Sequence, residues 1–533
     1  MTPRPVSGAR TPLFGALRRA FRLAAEARRT GAAPDDLVGA AHEARLDRRA
    51  FLRVAGAGVA GLTLGPTLAG CAAPARMRRD DRVAIVGGGM AGLHAAYRLQ
   101  QAGVRATVYE ASGRTGGRMH TATGLVGPGL TTELGGEFID SGHADLLGLV
   151  AEFGLDLYDR QTPGEAALRH AFYFGGRQVT EAEVVAAFVP LAARIQADFD
   201  STGDVVDYLN EGGAMALDRL SIAEYLDRIG ATGTIRALLD GAYVTEFGLD
   251  AGEQSALNLV FLIGTDTAGG FEPFGESDER LKVVGGNERV VEALAARVAG
   301  QIETGQRLVA ARPRGAGVRL VFESGAATRE VDADAVVLAL PFTLLRDVDL
   351  AALDLPAFKT RAIRELGYGT NAKLFAGTAA RPWRGQGYNG ECFTDAAFQL
   401  CWDHTQLQPG TAGGLTLYSG GAAGVAVGEG TPESHLARLL PDVDGAFAGV
   451  LAAQNGRTGR FHWPSHPFTR GSYACYRPGQ WTTVAGAEIV PVGNVFFAGE
   501  HCSADFQGYM NGAAETGRRA AASVLAALGV AAS

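Results

Sequence analysis

The chain has 533 residues, enough for two sizeable hydrophobic cores. Its formal net charge is −8 and it carries no basic tract, which argues against a nucleic-acid partner and mildly favours cationic small molecules. Its five cysteines, Cys71, Cys392, Cys401, Cys475 and Cys502, include no Cys-x-x-Cys pair, which argues against a zinc site.

The N-terminal stretch, residues 1–70, reads as a leader. Asp47-Arg48-Arg49-Ala50-Phe51-Leu52-Arg53 has the form of a twin-arginine export signal, and an uncharged Ala/Gly-rich run follows from Val54 to Ala75. Leu68-Ala-Gly-Cys71 has the form of a lipobox, in which Cys71 is acylated and becomes the first residue. The alternative is a short transmembrane anchor, but a weakly apolar, glycine-rich run spans a bilayer poorly. The reading is therefore a periplasmic or envelope-anchored protein that meets the membrane only through its signal or lipid. Residues 1–70 hold 11 Arg, no Lys and 5 acids; taking these from 49 basic and 57 acidic residues leaves 38 against 52, about −14 for the exported part. One disulfide among Cys392, Cys401, Cys475 and Cys502 suits an oxidising compartment, and the sequence does not choose the pair.

The first ordered unit begins at Val83-Ala-Ile-Val. This β-type run meets Gly87-Gly-Gly89-Met90-Ala91-Gly92, and a helical pattern continues through Leu99. Gly87 permits the tight turn, Gly89 lets the backbone approach a pyrophosphate, and Gly92 lets helix and strand pack closely. The next strand, Arg105 to Glu110, ends in an acid where a ribose hydroxyl needs an acceptor, with Ala111 beyond it. A lone glycine fingerprint is weak in a chain with 74 glycines. Strand, helix and terminal acid in register make dinucleotide binding the reading, against a ligand-free glycine-rich turn.

Residues 144–155 and 181–199 read as helices, and Val318 to Glu323 as a strand. Glycine clusters near 411–430 read as turns in a strand-rich part. Near the C-terminus, Val495-Phe-Phe-Ala-Gly499-Glu500 is an apolar run leading into a loop, and Gly508-Tyr509-Met510 opens a helix. A helix N-terminus suits a phosphate or an electron-rich ring edge. The chain has only three lysines, Lys282, Lys359 and Lys373, which marks them as places where a compact ammonium is kept.

Further blocks carry a family resemblance. Gly113-Arg-Thr-Gly-Gly-Arg118, Glu133-Leu-Gly135-Gly136-Glu137-Phe138-Ile139, Gly285-Gly-Asn-Glu288, Val337-Leu-Ala-Leu-Pro341 and the C-terminal stretch follow the glycine fingerprint in motif order. From about residue 80 to 527 the chain resembles the flavin-containing amine oxidases, which include monoamine, polyamine and L-amino-acid oxidases. The resemblance implies an α/β fold: a Rossmann-like FAD-binding domain interleaved with an α+β substrate domain, as in the glutathione-reductase-like FAD enzymes. The FAD domain is expected from 80–140, 278–348 and 463–533, and the substrate domain from 141–277 and 349–462.

The resemblance also assigns roles. Arg118 is expected to neutralise pyrophosphate charge, and Gly135 and Gly136 to let the backbone lie against the flavin ring. Glu137 belongs to the same cofactor-binding block. Glu500, after Gly499, resembles the acid near the ribityl and phosphate groups. Met510 opens the helix beside them, and the Leu308 backbone is expected near adenine. Lys373 matches the lysine that reaches flavin N5 through a water and assists reoxidation by dioxygen; the alternative is an exposed strand lysine. Tyr473 and Tyr509 match the aromatic pair flanking the substrate amine, against a plain core role for each. Ser472 stands where monoamine oxidases carry the cysteine joined to flavin, so FAD is expected to be non-covalent. Phe138 is expected to line the cavity where L-amino-acid oxidases have an arginine. Asp140 falls where polyamine oxidases meet a distal ammonium; a turn or helix-cap role is the alternative.

The expected activity is FAD-dependent oxidative deamination. A hydride equivalent passes from the α-carbon of a small amine to N5, the imine hydrolyses, and dioxygen reoxidises the flavin with release of H2O2. The alternatives are an amine dehydrogenase using a periplasmic acceptor, an L-amino-acid oxidase, a carotenoid-desaturase or protoporphyrinogen-oxidase-like enzyme, and a non-enzymatic FAD-binding lipoprotein. The desaturase class does not account for Lys373 or the tyrosine pair.

Overall fold

The computed structural model describes residues 82–265, 273–274 and 277–530. The twin-arginine and lipobox segments, with Cys71, lie outside the described residues.

Strand β1 (Val83–Val86) is buried at every position and is followed by helix α1 (Met90–Gln101) and strand β2 (Ala106–Tyr109). The strand-to-helix turn needs glycine: a Cβ on Gly92 would stand 1.9 Å from the Gly87 carbonyl oxygen. The chain therefore reverses directly from β1 into α1, leaving the helix N-terminus at the end of the strand. β1 is central in an all-parallel five-stranded sheet. Its order is Val495–Phe497, Ala335–Leu338, β1, β2 and Ile302–Glu303. Strands far apart in the chain are thus neighbours, Val83 pairing with Ala335 and Val336 with Val495, and their near-continuous apolar sequences fit a sheet covered on both faces. The C-terminal helix Met510–Ala527 covers one face beside α1, so close that a Cβ on Gly517 would meet the Ala91 carbonyl oxygen at 2.4 Å.

A three-stranded antiparallel sheet, Arg307–Arg314, Gly317–Ser324 and Ala327–Ala333, contains the strand read at 318–323. The other large layer is a seven-stranded sheet. Its order is Gln454–His462, Ala372–Thr378, Gly413–Ser419, Leu400–Asp403, Tyr388–Thr394, Arg169–Phe174 and Arg177–Val179. Helices Glu181–Ser201, Ile222–Arg228, Gly233–Phe247 and Ala256–Leu262 bury their apolar sides in one cluster with it. Two of these start on reciprocal caps, Thr180 with Glu183 and Ser221 with Glu224, which explains their sharp starts.

The helix read at 144–155 runs from Ala144 to Glu152, and the one read at 181–199 extends to Ser201. The glycine-rich stretch 411–430 is strand-bearing as read, but several of its glycines lie inside elements rather than in turns. It contains the buried strand Gly413–Ser419 and the short helix Gly421–Ala426. The glycines there serve close packing: a Cβ on Gly424 would meet the Thr370 carbonyl oxygen at 2.2 Å. All four described cysteines are buried and free, with Cys392 directly opposite Cys401 on adjacent antiparallel strands.

Candidate active site

A cavity of about 460 Å³ lies between the two large sheets. Its floor is the carboxyl end of the parallel sheet: Gly87 and Gly89 after β1, Glu110 and Ala111 after β2, Ala339 to Pro341, and Gly499 and Glu500 all line it. This is where open α/β sheets place ligands. Met90 and Ala91, at the N-terminus of α1, and Met510, opening the last helix, also line it and bring two positive helix ends to the cavity.

The glycine end is organised around Glu110. Its Oε2 accepts the Gly88 N–H at 2.7 Å, and its Oε1 accepts the Ser112 N–H at 2.7 Å. The carboxylate is thus fixed at the tip of β2 with lone pairs to spare for a hydroxyl. In the middle, Gly135 and Gly136 line the wall, and a Cβ on Gly135 would meet the Arg118 carbonyl oxygen at 1.8 Å. The cradle therefore holds only if these residues lack side chains, and it fits a flat, phosphate-bearing group.

Arg118 lines the same wall but is already engaged. Its Nη1 donates to Glu500 Oε1 at 2.7 Å and to the Ser472 carbonyl at 2.7 Å. Glu500 is buried, and its Oε2 also accepts the N–H of Gly508 at 2.9 Å and of Ala474 at 3.4 Å. The pair bolts the glycine block, the Ser472 segment and the entry to the last helix together, so the structure gives Arg118 a first partner other than a phosphate. Leu308 is not among the lining residues. Its side chain is in the core opposite Phe322, which leaves only its backbone for the expected contact.

At the other end the walls are aromatic. Tyr473, Tyr509, Phe138, Trp402 and Tyr418 line the cavity together. Tyr473 Oη shares a 3.0 Å hydrogen bond with Tyr418 Oη and donates to the Thr245 carbonyl at 3.1 Å; Tyr509 Oη donates to Glu246 at 3.3 Å. Burial pushes both phenols well up, so they remain neutral hydrogen-bonding groups. Ser472 also lines the cavity, its Oγ donating to Asn371 at 2.6 Å. Phe138 has Trp402 on one side, ring centroids 5.7 Å apart, and the Arg160 guanidinium 4.4 Å from its centroid.

Lys373 is buried on the strand Ala372–Thr378 and lines the cavity, which excludes the exposed-strand alternative. Its Nζ donates to the carbonyls of Glu133 at 3.0 Å and Gly135 at 2.9 Å, and to Glu137 Oε2 at 2.9 Å. Asp140 is buried and lines the cavity, yet its carboxylate acts as a turn brace. It accepts from Ser277 Oγ at 2.8 Å and the Glu279 N–H at 2.9 Å, and burial raises it to about 6.

Sequence reasoning assigned no role to Lys282 and did not single out Trp402, Tyr418, Glu246, Glu279 or Glu391. The first joins Glu137, and the rest complete the cavity wall. Only the rarity of lysine pointed at Lys282; the others carry no spacing signal.

The family model for flavin containing amine oxidoreductases matches residues 90–525. The chain belongs to this family. It is a flavin-dependent amine oxidoreductase, and its cofactor is FAD. Putrescine oxidase of Kocuria rosea is 27% identical over 463 residues, covering 82% of this chain and 93% of that protein. Pseudooxynicotine dehydrogenase of a Pseudomonas species is 23% identical over 430 residues, covering 80% and 82%. The structure of cyclohexylamine oxidase from Brevibacterium oxydans IH-35A matches with a TM-score of 0.74 at 23% identity, covering 84% of this chain and all of that one. The glycine cradle, the acid at the tip of β2 and the two helix ends fit FAD on this chain's own residues.

Proposed function

We propose that the protein oxidatively deaminates a small amine with dioxygen as acceptor, its FAD held without a covalent bond. The observation that carries this reading is the single cavity that joins the glycine cradle to the aromatic slot of Tyr473 and Tyr509, with Lys373 between them. FAD, held by the glycine cradle, would supply the acceptor for a hydride equivalent from the amine α-carbon and the route of those electrons to dioxygen.

The protein's share is binding, alignment and field. Gly87, Gly89, Gly135 and Gly136 admit the cofactor against the backbone, and Glu110 offers its acceptor at the sugar end. Ser472 bears an oxygen where a thioether would need sulfur. Tyr473 and Tyr509, braced by Tyr418, Thr245 and Glu246, hold their rings rigidly enough to align an amine between their faces. Phe138, Trp402 and Tyr418 exclude water around it. Lys373 brings positive charge to the wall, where reduction of dioxygen builds negative charge. Its three N–H donors are all taken by protein oxygens, so holding a water would require releasing one of them.

Within the same class, the wall favours an amine with a second positive group. Asp140, Glu246, Glu279 and Glu391 line the aromatic end. Arg160 faces Glu391 at 3.5 Å and is otherwise committed to Gln406 and the Glu279 carbonyl. Burial pushes the Glu279 carboxyl well up, but Asp140, Glu246 and Glu391 still outnumber Arg160 around a substrate carboxylate, which disfavours amino acids. The leader sequence supports delivery to the periplasm or envelope.

Lys373→Met tests the reading. Stopped-flow experiments should show reoxidation by dioxygen slowed far more than anaerobic reduction by amine. Unchanged reoxidation in the variant, with reduction intact in both proteins, means that Lys373 is structural or that dioxygen is not the natural acceptor.

A further inference from the structure

Two of the chain's three lysines converge on one carboxylate. Glu137 Oε1 accepts from Lys282 Nζ at 2.8 Å and Oε2 from Lys373 Nζ at 2.9 Å. Lys282 also donates to the His404 carbonyl at 2.8 Å. The three side chains are between 3% and 7% exposed. Lys373 and Glu137 line the cavity, whereas Lys282 stands behind them, its Nζ 5.6 Å from the Phe138 ring centroid. Burial alone would push the Glu137 carboxyl up, but the Lys282 and Lys373 ammonium groups overcome it and hold the carboxyl well below the usual range.

Stability does not explain the second lysine. Buried ionic groups can often be replaced by apolar ones at no cost, and one lysine suffices to pair one carboxylate. What Lys282 changes is the charge of the group. With Lys373 and Glu137 alone the wall is neutral; with Lys282 it carries one net positive charge. The donor count changes the chemistry too, because an ammonium with three filled donors acts on its surroundings only through its field.

We propose that Glu137 and Lys282 are positioning residues that fix Lys373 in place and set the single net positive charge it brings to the cofactor cavity. This rests on the cavity being the FAD site. Glu137 sets where the ammonium sits, and Lys282 cancels the Glu137 charge. Glu133, whose carboxylate binds the Asn287 N–H and Thr121, is itself lowered by the Lys282 charge and raised by that of Glu137, so the variants are compared at a pH well above 7, where it stays ionised.

The test is charge compensation, read by sulfite binding to the oxidised holoenzyme and by urea unfolding of the FAD-free protein. Sulfite is an anion, so its dissociation constant reports the field at the flavin. Lys282→Met removes one positive charge and should weaken sulfite binding by roughly tenfold, the order of effect of a single nearby charge at an effective dielectric of about 20. Glu137→Gln should tighten it by a similar factor. The double variant, with Lys373 alone, should return close to wild type, and it should unfold at higher urea than Glu137→Gln. If Glu137→Gln does not fold, Lys282→Met and the double variant decide the matter. An unchanged sulfite constant in Lys282→Met, or a double variant as weak as that single one, overturns the proposal. Strictly additive effects on unfolding overturn it as well. A protein whose flavin no amine reduces refutes the functional reading instead, and leaves these comparisons standing.

Discussion

Glu500→Leu separates a structural bolt from a passive cavity wall. The substitution deprives three donors of their acceptor: Arg118 Nη1 and the N–H groups of Gly508 and Ala474. Removing one partner of a buried ion pair costs about 3–5 kcal/mol, because the other is left uncompensated. Arg118 keeps 24% of its side-chain surface exposed and remains bonded to the Ser472 carbonyl, so solvent relieves part of that loss. The expectation for the FAD-free protein is therefore roughly 2–4 kcal/mol, less than the full buried-pair cost and more than a surface pair. Urea unfolding gives the number, and FAD titration should show weaker cofactor binding in step. Arg118→Met combined with Glu500→Leu should recover part of the stability, since an apolar pair leaves no orphaned charge. A loss below about 1 kcal/mol in Glu500→Leu, with no recovery in the double variant, would refute the bolt.

Tyr473→Ala and Tyr509→Ala should each slow anaerobic flavin reduction by roughly 10- to 100-fold while FAD stays bound, the loss expected from poorer alignment; wild-type rates would return both rings to the core. Burial raises the Glu133 carboxyl from 4.5 to about 7. The folded protein therefore holds that proton more tightly, and the contribution is full below pH 4.5 and lost as pH rises through 7. Glu133→Gln should flatten stability between those values, and an unchanged pH profile of urea midpoints contradicts it. Lysine in place of Arg48 and Arg49 should block export, and Cys71→Ala should release the product from membranes; a Cys71→Ala protein that still fractionates with membranes argues for an uncleaved anchor.

The sequence made the cofactor end legible because its demands are local. The β1–α1 turn tolerates only glycine where Gly92 meets Gly87, and the acid closing β2 follows at a fixed distance along the chain. The substrate end was legible only in part. Tyr473 and Tyr509 could be named through resemblance, but their braces come from a distant strand, Tyr418, and a distant helix, the adjacent Thr245 and Glu246, with no spacing that ties them to the tyrosines. Arg118 looked like a free phosphate ligand because its partner, Glu500, is 382 residues away. Glu137 and Lys282, 145 residues apart, meet only through tertiary packing. A list of motifs shows which residue types are present, whereas the hydrogen-bond count around Lys373 exists only once the strand, the Glu133–Glu137 segment and Lys282 are in one place.

The central claim is a non-covalent FAD enzyme that oxidises amines, and anaerobic titration of the purified protein tests it most directly. Monoamines, diamines, polyamines and amino acids are added while the flavin absorbance is followed, and the protein is then precipitated with acid. The account predicts stoichiometric bleaching by at least one amine, strongest for those with a second positive group, and yellow FAD in the supernatant. Flavin that no amine reduces, or that stays with the precipitated chain, would contradict it.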